Sequence, residues 1–306
     1  MSLIKTLLRD TFKKKELLIL ALPGLLLLLA FNYLPMFGLF IAFKDINYAK
    51  GLLGSDWVGF KNFEIFFALG NVYRLMRNTV GLNFMFIVVG NAVAVVFALL
   101  LYELKRRSVK VFQTILFIPF LLSWVVASYV TDIFLNHSKG IINIALLDMG
   151  LEKVMWYFEP SYWPIILLIV NIWKGVGYGA VIYYAALMSI DSTYYEAAAL
   201  DGANRLQQVV RISLPMISPL IILLFILSLG KIFTADFGLF YFVTRNNPML
   251  YEVIDVIDTF VFRMLRVRGD IGISSAMALI QSIVGCVFLV TANFIVRRVS
   301  PEKALF

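Results

Sequence analysis

The chain has 306 residues, 61% of them hydrophobic and only 15% charged, and a formal net charge of +8. Soluble domains run at about 45–50% apolar and about 25% charged, so the composition excludes a water-soluble globule, and its apolar wealth equally excludes a disordered chain. Most of the surface must face lipid. The positive charge then reads as the Lys and Arg excess of cytoplasmic membrane loops, with no nucleic acid needed to explain it.

A helical crossing takes roughly 20 apolar residues. In chain order six stretches qualify: Leu17–Phe43, Thr79–Tyr102, Val111–Leu135, Tyr162–Leu187, Pro215–Phe233 and Ile271–Val296. The first follows Lys13-Lys14-Lys15, but its apolar run is too long for the core of a signal peptide and reads as a retained helix. Between the first two spans, Phe60, Phe63 and Phe67 repeat at helical spacing and predict a short amphipathic helix. Val253, Ile257, Phe260 and Met264 form a similar stripe in segment 234–270. Lys105-Arg106-Arg107 and Arg297-Arg298 sit at span ends and place segments 1–16, 103–110, 188–214 and 297–306 inside, with both termini cytoplasmic.

The inventory of reactive groups is short. Cys286 is the sole cysteine and His137 the sole histidine, which removes disulfide frameworks, thiolate or His-rich metal sites and Ser-His or Cys-His catalysis. There is no G-x4-G-K-[ST] phosphate loop for ATP and no H-E-x-x-H.

Segment 188–215 carries the most information. It reads as a short helix, a break, and a second helix leading into the fifth span. Thr193 and Glu196 have the spacing of a capping box, and Ala197-Ala198-Ala199 gives a thin, strongly helical face. Gly202 permits a sharp turn, and Pro215 suits the first turn of a new helix. A thin alanine face on a cytoplasmic loop suits insertion into a groove on a partner.

Glu196-Ala197-Ala198, Gly202 and Ile212-x-Leu214-Pro215 match the EAA pattern, EAA-x3-G-x9-I-x-LP, at every position. The loop thus resembles the signature of permease subunits of binding-protein-dependent ABC importers. Asn32-Tyr33-Leu34-Pro35, Ile41-Ala42-Phe43-Lys44-Asp45, Trp57-Val58-Gly59-Phe60-Lys61-Asn62-Phe63 and Asp255–Arg263 are similar to the LplB-type branch of carbohydrate importers. The resemblance implies an all-α integral membrane protein with six transmembrane helices in the type I ABC importer permease fold, lying in the bacterial cytoplasmic membrane. It divides the chain into 1–78, with the first helix and outer loop, a core 79–297, and a tail 298–306. Implied partners are a second permease, two cytoplasmic ATPase subunits and an extracellular solute-binding lipoprotein. This chain would bind no cofactor itself, ATP and Mg²⁺ sitting on the ATPase subunits. The implied coupling positions are Tyr195, Glu196, Ala197, Ala198, Asp201, Gly202, Ile212, Leu214 and Pro215.

Inside the fourth span Asn171, Lys174, Gly175 and Tyr178 share one stripe at about 100° per residue. An amide, an ammonium, a glycine notch and a phenol suit a sugar, by hydrogen bonds to hydroxyls and stacking on a ring face. Asn171-x3-Gly175-x2-Tyr178 also resembles the cavity-lining stretch of maltose-type permeases; Lys174 lies outside that pattern, and its charge suits an acidic sugar. The alternative for the stripe is interhelical hydrogen bonding, or a partner carboxylate against Lys174. Asn83 and Asn91 read as packing contacts, Lys231 as a snorkelling lysine, Asp236 as its possible ion-pair partner, and Ser274, Gln281 and Ser282 as candidates for the pathway. Function therefore reads as ATP-driven oligosaccharide import by alternating access. A secondary transporter or channel for a small polar solute is the alternative, but it would normally show a membrane carboxylate and leaves the EAA spacing unexplained, as does a membrane scaffold.

Overall fold

The computed structural model describes residues 15–68 and 70–299; most of segment 1–16, including Lys13 and Lys14, and the tail from 300 lie outside the described residues. Helix α1 (Lys15–Leu28) runs on through a wide turn, Leu29–Tyr33, and a tight helix, Leu34–Phe43. Strands β1 (Lys44–Asp45) and β2 (Asp56–Trp57) pair antiparallel, with Lys44 opposite Trp57. Then come α2 (Lys61–Ala68), α3 (Val72–Tyr102), α4 (Arg106–Leu121), α5 (Trp124–Leu135) and α6 (Trp163–Met188). They are followed by α7 (Ser192–Leu200), α8 (Leu214–Leu229), α9 (Ile257–Arg263) and α10 (Ile271–Val299).

Among the described residues five helices are long and apolar enough to cross a membrane, and a sixth crossing is made only if the bent pair α4–α5 counts as one span. The straight third span expected from Val111 to Leu135 is therefore replaced by two half-helices bent by 103°. The cause is local. Leu122 and Ser123 both adopt extended backbone, and the Ser123 hydroxyl accepts from the amide of Val126, opening a new helix. Pro119 has no N–H to give to the turn before the break.

The fifth span also departs from expectation. Its helix begins at Arg205, well before Pro215, and ends at Leu229 short of Phe233. A wide turn over Val209–Ser213 precedes Pro215, so the proline sits within a continuous helix instead of opening one. The extra residue of a wide turn loosens the hydrogen-bond ladder where a proline cannot donate.

Small residues set the helix spacing, as is usual where lipid supplies no hydrophobic drive for association. The most extensive helix contact is between α3 and α6. Gly179 of α6 faces Ala94 of α3, where an added Cβ would lie 2.9 Å from the Ala94 Cβ. Gly177 lies directly on the Leu116 carbonyl of α4, leaving no room for a side chain. Gly285 of α10 crosses over the Gly230 carbonyl at 2.7 Å from where its Cβ would stand.

Helix α2 forms as expected but buries a different face. Asn62 and Phe66 are buried, whereas Phe60 and Phe67 are exposed. The Asn62 amide donates to the carbonyls of Ala42 and Lys44, both at 2.9 Å, and so ties α2 to the end of the first span. Ile257, Phe260 and Met264 do pack into one core cluster with Phe66, Leu75 and Met277. Val253 belongs to a preceding turn, because the chain is extended at Asp255 and Val256.

The Gly177 crossing generates a prediction. Gly177→Val should destabilise the purified subunit by about 1–3 kcal/mol, the usual cost of overpacking. Gly81→Ala, at a position with nothing within 4 Å, should melt with the parent chain in a detergent thermal unfolding assay.

Candidate functional site

A cavity of about 540 Å³ opens between α3, α6 and the end of α8. The fourth-span stripe is divided by it. Asn171, Gly175 and Tyr178 line the cavity, with the Tyr178 ring stacked on Phe120 at 4.8 Å and 14° between planes. Lys174 is not among the lining residues. Its ammonium donates to the Phe120 carbonyl at 3.0 Å and lies 5.5 Å and 4.9 Å from the centroids of the Phe120 and Trp124 rings. It thus serves a carbonyl at the C-terminal end of α4, where the helix dipole is negative and no intrahelical donor remains.

The wall opposite is an unwound segment. Helix α8 stops at Gly230, and the chain turns irregularly before resuming a helical path past Gly238. Its backbone groups are taken by side chains from three other elements. Asn83 of α3 donates to the carbonyls of Ile232 at 2.8 Å and Thr234 at 3.3 Å. Gln281 of α10 donates to the Phe233 carbonyl at 2.7 Å and to the Asp258 carboxylate at 3.1 Å. Asp258 in turn accepts from the amide of Ala235 at 2.8 Å. Burial pushes the Asp258 carboxyl above the usual carboxylate range, against the pull of these two hydrogen bonds.

This clamp sorts the segment's side chains. Ile232, Phe233 and Ala235 are buried, while Lys231, Thr234 and Asp236 line the cavity. Asp236 accepts from the Trp124 indole at 2.9 Å and from the amide of Gly238 at 3.0 Å; no Lys231–Asp236 ion pair occurs among the described residues. Asn91, also on the lining, accepts from the Tyr183 hydroxyl at 2.7 Å and donates to Ile87.

Several polar residues therefore stand elsewhere than the sequence suggests. Lys231 lines the cavity. Gln281 is buried on backbone, Ser274 bonds to Val261 and Asp270, and Ser282 bonds back to Ala278. Asn83 joins elements as expected of a packing residue. The unwound segment itself was not foreseen; its signal is the pair Gly230 and Gly238 bracketing Thr234-Ala235-Asp236.

Segment 188–215 folds as a helix, a turn and the start of the fifth-span helix. The expected capping box at Thr193 and Glu196 does not form. Asp191 caps α7 instead, its carboxylate accepting from the Thr193 amide at 2.9 Å, which holds its carboxyl below the usual range. A capping box does occur one helix later, between Asn204 and Gln207. Helix α7 ends on Gly202 at φ +80°, with the Ala203 amide donating to Ala198 and the Gly202 amide to Ala199. This is the left-handed C-terminal turn that glycine adopts without strain.

One side of α7 is anchored and the other is bare. The Tyr195 hydroxyl lies 3.0 Å from that of Ser213, its ring sits 5.8 Å from Tyr102, and Arg205 pairs with Glu103 at 3.7 Å. Ile212 and Leu214 are half-buried at the root, with Pro215 exposed. Glu196, Ala197, Asp201 and Gly202 are exposed, Ala198 is half-buried, and Leu200 and Leu206 are 90% and 71% exposed. The site as a whole offers hydrogen bonding, ring faces and a bare loop surface; no cluster of metal-ligating residues occurs among the described residues.

A family model described as binding-protein-dependent transport system inner membrane component matches residues 90–301. Protein LplB of Bacillus subtilis (strain 168) is 34% identical over 291 residues, 95% of this chain and 91% of its own length. The polygalacturonan/rhamnogalacturonan transport system permease protein YteP of the same organism is 32% identical over 97% of this chain and 92% of its own. A crystal structure of a bacterial ABC transporter involved in the import of the acidic polysaccharide alginate contains a chain that superposes with a TM-score of 0.86 at 31% identity, covering 96% of this chain and 99% of that one. A second structure of such an alginate transporter, in complex with alginate pentasaccharide-bound periplasmic protein, superposes with a TM-score of 0.85. The fold, the membrane spans and these likenesses agree: the chain belongs to the binding-protein-dependent transport system inner membrane components, as a permease subunit of an ABC importer that leaves ATP hydrolysis to partner subunits.

Proposed function

We propose that this permease carries acidic oligosaccharides, delivered by an extracellular solute-binding protein, across the membrane by alternating access. Its fellow subunits are a second permease and two ATPase subunits that hold ATP and Mg²⁺, and both termini lie on the cytoplasmic side, where Lys105 and Arg107 flank the start of α4. The substrate reading is supported by YteP, whose name specifies polygalacturonan and rhamnogalacturonan, and by the transporter of the acidic polysaccharide alginate. Within the cavity Asn171 offers an amide to sugar hydroxyls, Tyr178 offers a ring face, and Gly175 leaves space for close approach. Lys174 acts on this surface indirectly, by fixing the helix break against which Tyr178 stacks.

The observation that carries the coupling reading is the placement of α7. It sits between the two helices that form opposite walls of the cavity, α6 on one side and the Arg205–Leu229 helix on the other. A partner that seizes the bare face, with Leu200 and Leu206 as apolar knobs and Glu196 and Asp201 as its charges, pulls on both walls together. Tyr195, bonded to Ser213, passes the displacement into the root of the fifth-span helix beside Ile212, Leu214 and Pro215. Closure of the ATPases thereby becomes a change in cavity shape, with Ala197 and Ala198 keeping the docking helix thin.

Two outcomes test this. Glu196→Lys and Gly202→Asp, in the assembled transporter, should each abolish solute-stimulated ATP hydrolysis and uptake while membrane insertion stays at the parent level; normal uptake in both variants would remove the coupling role. Tyr178→Ala should raise the solute concentration for half-maximal uptake by about tenfold, on the scale of one lost aromatic contact, with basal ATP hydrolysis unchanged.

A further inference from the structure

We infer that Lys231 is the residue by which the cavity recognises the negative charge of its solute, through a carboxylate carried on a sugar ring. The inference rests on the oligosaccharide reading above and assigns charge recognition within it to one side chain.

Two lysines stand near the cavity, and their situations differ. The Lys174 ammonium is committed to the Phe120 carbonyl and to two aromatic faces. That of Lys231 has no hydrogen-bond, ion-pair or ring partner among the described residues, and the side chain is exposed on the cavity wall. Its position is imposed by the clamp on the unwound segment. The Lys231 amide donates to Ser228 at 3.0 Å and the Lys231 carbonyl accepts from Thr234 at 2.9 Å. With Ile232 and Phe233 buried and their carbonyls held by Asn83 and Gln281, residue 231 has only the cavity side left to it.

None of the other lining groups is bonded to the ammonium among the described residues. Asp236, the one carboxylate on the wall, is engaged by the Trp124 indole and the Gly238 amide. The Asn91 carbonyl oxygen is engaged by Tyr183. Apolar side chains make up much of what remains, among them Phe86, Ile172, Val176 and Leu224. An unpaired ammonium on a largely apolar wall attracts an anion, and low local polarity strengthens that attraction. A solute that carries a carboxylate supplies one. Because Asn171 and Tyr178 face the same space, the charge recognised belongs to a molecule that also offers hydroxyls and a ring face, which describes a uronic acid residue.

The test uses the assembled transporter, with its partner permease, ATPases and binding protein, in liposomes. Trigalacturonate uptake is measured for the parent, Lys231→Gln, Lys231→Arg and Lys174→Gln. Lys231→Gln should slow uptake about tenfold or more, the scale of one lost charge-assisted hydrogen bond. Lys231→Arg should restore most of the rate, and neither substitution should alter the melting temperature. Lys174→Gln should instead lower the melting temperature. Parent-like uptake by Lys231→Gln overturns the inference while leaving the importer reading intact. A loss that Lys231→Arg does not rescue, or that comes with a lowered melting temperature, overturns it as well by showing a structural role. Should the parent take up neutral maltotriose but no trigalacturonate or trimannuronate, the acidic-solute reading itself fails, and the inference with it.

Discussion

Within the hydrocarbon of a bilayer every backbone N–H and C=O needs a partner inside the protein, because an unsatisfied group costs several kcal/mol. A chain of continuous helices meets that demand automatically. This permease leaves the helix at two places, the bend between α4 and α5 and the irregular stretch after α8, and meets the demand there by other means. Where α4 stops, Lys174 supplies a donor to the Phe120 carbonyl. Where α8 stops, Asn83, Gln281 and Asp258 take up the carbonyls and amide of residues 232–235. Several of the polar side chains near these places serve the backbone, and the irregular stretch after α8 contributes Lys231, Thr234 and Asp236 to the cavity wall.

The same economy joins the loop to the cavity. The fourth and fifth spans carry the opposing walls, and the only covalent path between them is segment 188–215. Its inner face is fixed by Tyr195 and by the Arg205–Glu103 pair, its outer face is exposed, and Gly202 turns the chain in a conformation that leaves α7 compact. On the proposed coupling, such a segment needs no catalytic group of its own.

Much of this was legible in the sequence. Six apolar stretches correspond to five long apolar helices and one bent pair among the described residues, and the Glu196–Pro215 spacing pointed to the family, because both depend on residue type and separation along the chain. The Asn171–Tyr178 periodicity gave three cavity residues correctly placed on one face. What stayed hidden was decided by contacts distant in sequence. Nothing near residue 174 says that its ammonium meets a carbonyl 54 positions earlier. Nothing near Lys231 says that Asn83 and Gln281 will pin the following residues and turn it toward the cavity. Hydropathy also cannot see a bend: Val111–Leu135 is predominantly apolar on both sides of the break, and its division rests on two residues, Leu122 and Ser123.

The bond between Lys174 and Phe120 makes two distant stretches of the chain interdependent. A change that straightened the third span would close the Phe120 carbonyl into its own helix and leave the ammonium without that acceptor; loss of the lysine would leave the broken end without its donor. Positions 120–123 and 174 therefore act as one unit of the fold, although they lie on different helices.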